Sequence, residues 1–134
     1  MSGFAYNPRM AAYRSTLVHG SVANADPHAL VQMLLDAALD RMTQARGCIE
    51  RGEIAGKAKL LHSCVIIIAE LRGSLDLDKG GSLARNLRDL YEYMSRRLLL
   101  ANVRSDVGCI NEVLSLLGEI RAAWVAIAPQ VRTA

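Results

Sequence analysis

Between Leu30 and Trp124 the apolar residues recur mostly at intervals of three and four, the spacing of one face of an α-helix, and the breaks carry capping or turn residues. The first run holds Leu30, Leu34, Ala38, Met42, Ala45 and Ile49. Asp26-Pro27 precedes it, where Asp26 can accept from exposed backbone N–H groups and Pro27 suits the first helical position. Gly52 ends it near Arg51. A second helix is predicted over about 53–75 from two overlapping stripes, one of Ile54, Ala58, Leu61, Val65 and Ile68, the other of Leu60, Cys64, Ile67 and Leu71. Isoleucine and valine favour strands, but the spacing persists well beyond strand length, so helix wins. A helix apolar nearly all round contacts neighbours on both sides.

Residues 76–81, with acids before Gly80-Gly81, read as a connector. A third helix follows over 82–102, its face made by Leu83, Leu87, Leu90 or Tyr91, Met94, Leu98 and Ala101. Ser105 or Asp106 can cap a fourth, in which Val107, Ile110, Leu114, Leu117, Ile120 and Trp124 run on until Pro129. Four helices of similar length with short connections pack most simply as an antiparallel up-down bundle, so the fold is expected to be all-α. Residues 26–128 would form that bundle and residues 129–134 a frayed tail.

Residues 1–25 differ from the rest, being small and polar with no acid until Asp26. They are read as a mobile leader, helical or extended. Tyr6, Met10, Tyr13 and Leu17 step by four, three and four, which gives a short helix one face able to dock or to close the end of the core. A bundle seam needs about three apolar positions in seven. The second helix exceeds this and the leader adds more, so apolar surface is left over for a partner or for a fuller core.

Composition narrows the function classes. The 134 residues fit one domain, and with 51% apolar and 22% charged residues the chain is expected to fold. Its uninterrupted apolar runs, residues 64–69 among them, fall far short of the ~20 residues a membrane span needs. No secretory signal is recognisable, so a cytoplasmic location is expected, with no membrane insertion. The net charge of +3 is spread among acids, and with 4% aromatics a nucleic-acid partner ranks below a protein one. Cys48, Cys64 and Cys109 lack CxxC spacing and sit within apolar helical patterns, so they read as reduced packing residues and not as metal ligands.

Little here could build a catalytic pocket, and neither enzyme activity, a metal nor a cofactor is expected. His19 lies in the leader, and His28, in the first helical turn, reads as a surface residue. His62 precedes an apolar run and makes a histidine phosphotransfer bundle a rival reading. That class follows its histidine with a lysine and a glycine, where Ser63, Cys64 and Val65 stand here. Glu-x-x-His repeats, CxxCH and a phosphate-binding glycine loop are likewise missing from the sequence. A second rival is a structural bundle that self-associates through its surplus apolar surface.

Several segments, in order along nearly the whole chain, resemble the flagellar secretion chaperone family (FliS). They are Tyr13 in the leader, Ala25-Asp26-Pro27-His28-Ala29-Leu30, and Met33-Leu34-Leu35-Asp36-Ala37-Ala38. The stretches from Ile68 to Asp76, Gly80 to Leu87, Leu90 to Met94 and Leu98 to Asn102 follow, and the last helix is similar from Glu112 to Trp124. Asp26 stands where a cap serine is more usual, and Leu35 with Ala37 replaces an aromatic and a glycine, which removes a phenolic hydroxyl. The resemblance implies a four-helix export chaperone that binds the disordered C-terminal segment of flagellin, prevents its premature polymerisation and helps deliver it to the export apparatus. It makes the flagellar export gate a further candidate partner and leaves homo-oligomerisation open when no client is bound. The expected flagellin groove comprises Ile67, Leu71, Leu83, Asn86, Leu87, Leu90 and Tyr91, with Asn86 able to bond client backbone; Tyr6, Tyr13 and Leu17 would let the leader occupy part of it.

Overall fold

The computed structural model describes residues 26–128, which form four helices: α1 (Pro27–Arg51), α2 (Ile54–Gly73), α3 (Leu77–Arg104) and α4 (Val107–Ala126). The expected leader and tail, and with them Tyr6, Met10, Tyr13, Leu17 and His19, lie outside the described residues. Each helix packs against two neighbours, α1 on α2 and α4, α3 on α2 and α4, while the diagonal pairs stand further apart across the core. Contacts far apart in sequence fix the directions. The start of α1 meets the end of α4 through the Asp36–Arg121 pair, and the end of α1 meets the start of α4 where Arg46 donates to Asn111 at 2.9 Å. The helices therefore alternate up and down, as the lengths and short connections imply.

The boundaries follow from local chemistry. Asp26 Oδ1 accepts from the Ala29 N–H at 2.7 Å with Pro27 in the first turn, and Gly52 ends α1 in the left-handed region at φ 72°. Only residues 52 and 53 join α1 to α2. Between α3 and α4 the roles of the two candidate caps separate. Asp106 accepts from the Gly108 N–H at 2.8 Å and caps α4, whereas Ser105 ends α3 with φ at 52°, the one left-handed non-glycine residue among those described.

One boundary differs from expectation. The segment 76–81 is not an open connector: Asp76 accepts from the Lys79 N–H and starts a helical turn at Leu77, and the chain then kinks at Gly81, φ 57° and ψ −136°. Side chains other than hydrogen rarely tolerate that backbone, and a Cβ on the neighbouring Gly80 would come within 2.5 Å of the Ala84 Cβ. The glycine pair thus bends a helix where a loop was expected.

The core runs along the bundle axis and takes Leu35, Met42, Leu61, Cys64, Ile67, Ile68, Leu71, Met94, Leu98, Ile110 and Leu117, each at most 1% exposed. All three cysteines are buried free thiols. No helix among the described residues is long and apolar enough to cross a membrane. At the end of the bundle where α1 gives way to α2, Lys57 is 4% exposed, and its ammonium donates to the Asn102 carbonyl and the Ser105 hydroxyl, both at 2.8 Å. A cation there meets the last carbonyls of α3, which lack partners within the helix.

Candidate functional site

At the opposite end, where α1 and α3 begin and α2 and α4 finish, the helices leave an apolar cleft of about 580 Å³. Its walls are Pro27, Val31 and Leu35 of α1, Leu75 after α2, Leu83, Ala84, Leu87 and Tyr91 of α3, and Ile120 and Trp124 of α4; His28, Ser74, Asp76 and Lys79 add polar groups. The kink at Gly81 swings the first turn of α3 into this end of the bundle, so that Lys79 and Gly80 join the wall. Leu35, fully buried, ties the cleft to the core, while Leu83 is 67% exposed. An exposed leucine within such a wall marks a partner surface better than a solitary one does.

His28 and Trp124 join α1 to α4. Their rings stack with centroids 4.4 Å apart and planes 8° from parallel, and the indole Nε1 donates to the His28 carbonyl at 2.8 Å. That carbonyl sits in the first turn of α1, and its bond to the indole locks the end of α4 over it. The His28 Nε2 is buried without a hydrogen-bond partner. His28, expected at the surface, is instead half-buried, because the spacing of α1 says nothing of an aromatic delivered from 96 residues away.

Tyr91 is 4% exposed, and burial pushes its phenol up to about 12. Its hydroxyl makes no hydrogen bond among the described residues. Two residues on, Tyr93 behaves differently. Its hydroxyl donates to Glu112 Oε2, and that bond together with Arg97 at 2.7 Å holds the Glu112 carboxyl below its ordinary range, clamping α3 to α4.

Of the residues expected to form a groove, Leu83, Leu87 and Tyr91 share the cleft wall. Ile67 and Leu71 do not: each is 1% exposed within the core, because the all-round apolar middle of α2 is consumed by packing on α1 and α3. Asn86 is exposed and Leu90 half-buried, and neither lines the cleft. Sequence reasoning missed Val31, Leu35, Ile120 and Trp124 as wall residues, although Ile120 and Trp124 already belonged to the apolar stripe of the last helix. No group of three or more His, Cys, Asp or Glu side chains able to hold a metal occurs among the described residues. His62 stands exposed on α2, away from the cleft lining. The cleft lining is predominantly apolar, with a few polar groups at its edge.

The family described as Flagellar protein FliS matches residues 9–131. The chain is 42% identical over 118 residues to a Flagellar secretion chaperone FliSB of Pseudomonas aeruginosa, covering 88% of this chain and 94% of the relative. It is also 42% identical over 120 residues to a Flagellar secretion chaperone FliS of Salmonella typhimurium, covering 89% of each. A Flagellar secretion chaperone FliS of Bacillus subtilis is 33% identical over 104 residues, covering 78% of this chain and 77% of its own length.

Proposed function

Since the chain belongs to the FliS family of flagellar proteins, we propose that it is an export chaperone whose apolar cleft receives the disordered C-terminal segment of flagellin. It acts by binding and not by catalysis: it keeps its client from polymerising in the cytoplasm and hands it to the export apparatus, with the export gate as a second partner. The observation that carries this reading is the cleft, an apolar wall assembled from α1, α3 and α4 with Leu83 left 67% exposed. A disordered segment that folds as it binds forfeits ~2–5 kcal/mol in ordering, so it needs a large apolar contact. At about 25 cal/mol per Å² of apolar surface, the side chains of one amphipathic turn laid against Leu83, Leu87 and Trp124 offset much of that cost.

Titration calorimetry of the full chain against the C-terminal segment of flagellin from the same organism tests the reading. Saturable one-to-one binding with a negative heat-capacity change is expected. No heat at several temperatures, together with no co-elution at micromolar concentration, would sink it. The leader belongs to the same proposal: Tyr6, Tyr13 and Leu17 would compete with the client for the cleft. Deleting residues 1–18 should leave helicity intact and change client affinity. Unchanged affinity with intact helicity would remove the leader from the groove.

A further inference from the structure

The end of the bundle opposite the cleft carries an apolar patch outside the core. Leu99 and Val103, one turn apart on the same face of α3, are 55% and 83% exposed, and Ile54 in the first turn of α2 is 60% exposed. The bonds from Lys57 to the Asn102 carbonyl and the Ser105 hydroxyl hold the start of α2 against the end of α3, which sets Ile54, three residues before Lys57, beside the turn that bears Val103. Cations surround the patch. Lys59, Arg96 and Arg104 are exposed and have no carboxylate partner among the described residues, although Arg96 lies over the Tyr93 ring, 6.0 Å from its centroid. The nearby acids are engaged or turned away: Glu53 pairs with Arg51, Glu92 with Arg72, and Asp106 caps α4, while Glu50 follows Arg46 by four residues on the α1 face toward α4. Solitary exposed aliphatic side chains are ordinary, whereas a group of them ringed by unpaired cations marks a surface for an anionic, apolar partner.

We propose that this patch adsorbs the chain, weakly and reversibly, to the surface of an anionic lipid bilayer. Size and charge select that partner. A stable protein interface takes about 800 Å² and some 20–30 residues from each side, far more than the exposed parts of Ile54, Leu99 and Val103 supply. A second copy docked through the same patch would set Lys59, Arg96 and Arg104 close to their own counterparts, like charge against like. A bilayer asks for no complementary shape: the aliphatic side chains enter the headgroup boundary, and the arginine and lysine stems lie along it with their heads at the lipid phosphates. Leu83 and Val103 stand about 30 Å apart along α3, so an adsorbed chain keeps its cleft clear of the surface and open to a client.

Co-sedimentation of the full chain with vesicles of mixed phosphatidylglycerol and phosphatidylcholine, against vesicles of phosphatidylcholine alone, tests this. Binding to the anionic vesicles is expected, with release at about 1 M salt, where the screening length falls to about 3 Å. Arg96→Gln should weaken it roughly 5-fold, the worth of one cation near an anionic surface, and Val103→Asp at least about 10-fold. Arg85→Gln is the control: Arg85 is also exposed and without a carboxylate partner among the described residues, but it stands about 16 Å back along α3 from Arg96, beyond the screening length of about 10 Å at 0.1 M salt, and its variant should bind as the parent does. All three side chains are exposed, so helicity and flagellin binding in solution should stay unchanged, and failure here leaves the chaperone reading standing. No pelleting with the anionic vesicles overturns the proposal. Equal losses in Arg85→Gln and Arg96→Gln also overturn it, since net charge then does the work, as does undiminished binding by Val103→Asp. A dimer in the absence of lipid that Val103→Asp dissolves would give the patch to a second copy instead.

Discussion

Lys57 and Tyr91 are equally buried, each 4% exposed, yet they sit at opposite ends of the bundle and in opposite states. The Lys57 ammonium closes the C-terminus of α3 with two hydrogen bonds of 2.8 Å, in a region where connections are only two residues long. The Tyr91 hydroxyl has none, and beside it α3 is kinked, His28 Nε2 is unbonded and an apolar cleft stands open. One end spends its polar groups on holding the helices together. The other does so only in part: the Trp124 indole, Asp76 and Ser74 are bonded, but His28 Nε2 is not, and the apolar walls between them stay open. Ligand-binding elements are generally drawn from such less satisfied parts of a fold.

The comparison breaks most readily at Lys57. Lys57→Met should lower unfolding stability by about 1–3 kcal/mol, because the Asn102 carbonyl and Ser105 hydroxyl lose their donor, while client affinity stays unchanged. Urea denaturation and calorimetry on the same variant check both halves; a large affinity change would mean that the two ends are coupled. At the cleft end the expected pattern is reversed. Leu83→Asp places a charge on a side chain 67% exposed in the free chain, so stability should hold while client binding weakens at least about 10-fold, or ~1.4 kcal/mol.

Alkaline titration sharpens the contrast further. Burial raises the Tyr91 phenol from 10.0, and the Cys64 thiol from 9.0, to about 12 in each case. Both groups are neutral when protonated, and the folded chain holds the proton more tightly than the unfolded one. Their contribution is therefore complete below about pH 9 and is lost as pH rises toward about 12. Urea midpoints at a series of alkaline pH values should fall, and Tyr91→Phe should flatten that fall above pH 10.0. The smallest effect belongs to Glu112→Gln, which weakens the Tyr93 and Arg97 clamp at a partly exposed site and should cost less than about 1 kcal/mol, read from the same denaturation curves.

Much of this was legible before any coordinates. Asp26, Pro27, Gly52 and Asp106 act at helix ends through their own backbone chemistry, which needs no neighbour from elsewhere in the chain, and the three- and four-residue spacing separates the buried stripes. The site was legible only in part. Leu83, Leu87 and Tyr91 carry an apolar face that any reading would select, but the same criterion also selects Ile67 and Leu71, which the core absorbs.

Helix number, order and caps, and the apolar face of each helix, are thus properties of the sequence by itself, because they depend on hydrogen bonds and periodicities that close within a few residues. Family membership is as well, since it rests on the order of segments along the chain. What the tertiary structure decided is how those faces turn toward one another. It placed Trp124 on His28, bent α3 at Gly81, and left Leu83 without the neighbour that Leu71 has. A periodic stripe says that a side chain leaves water; only the packed position of three other helices determines whether it meets protein or an open cleft.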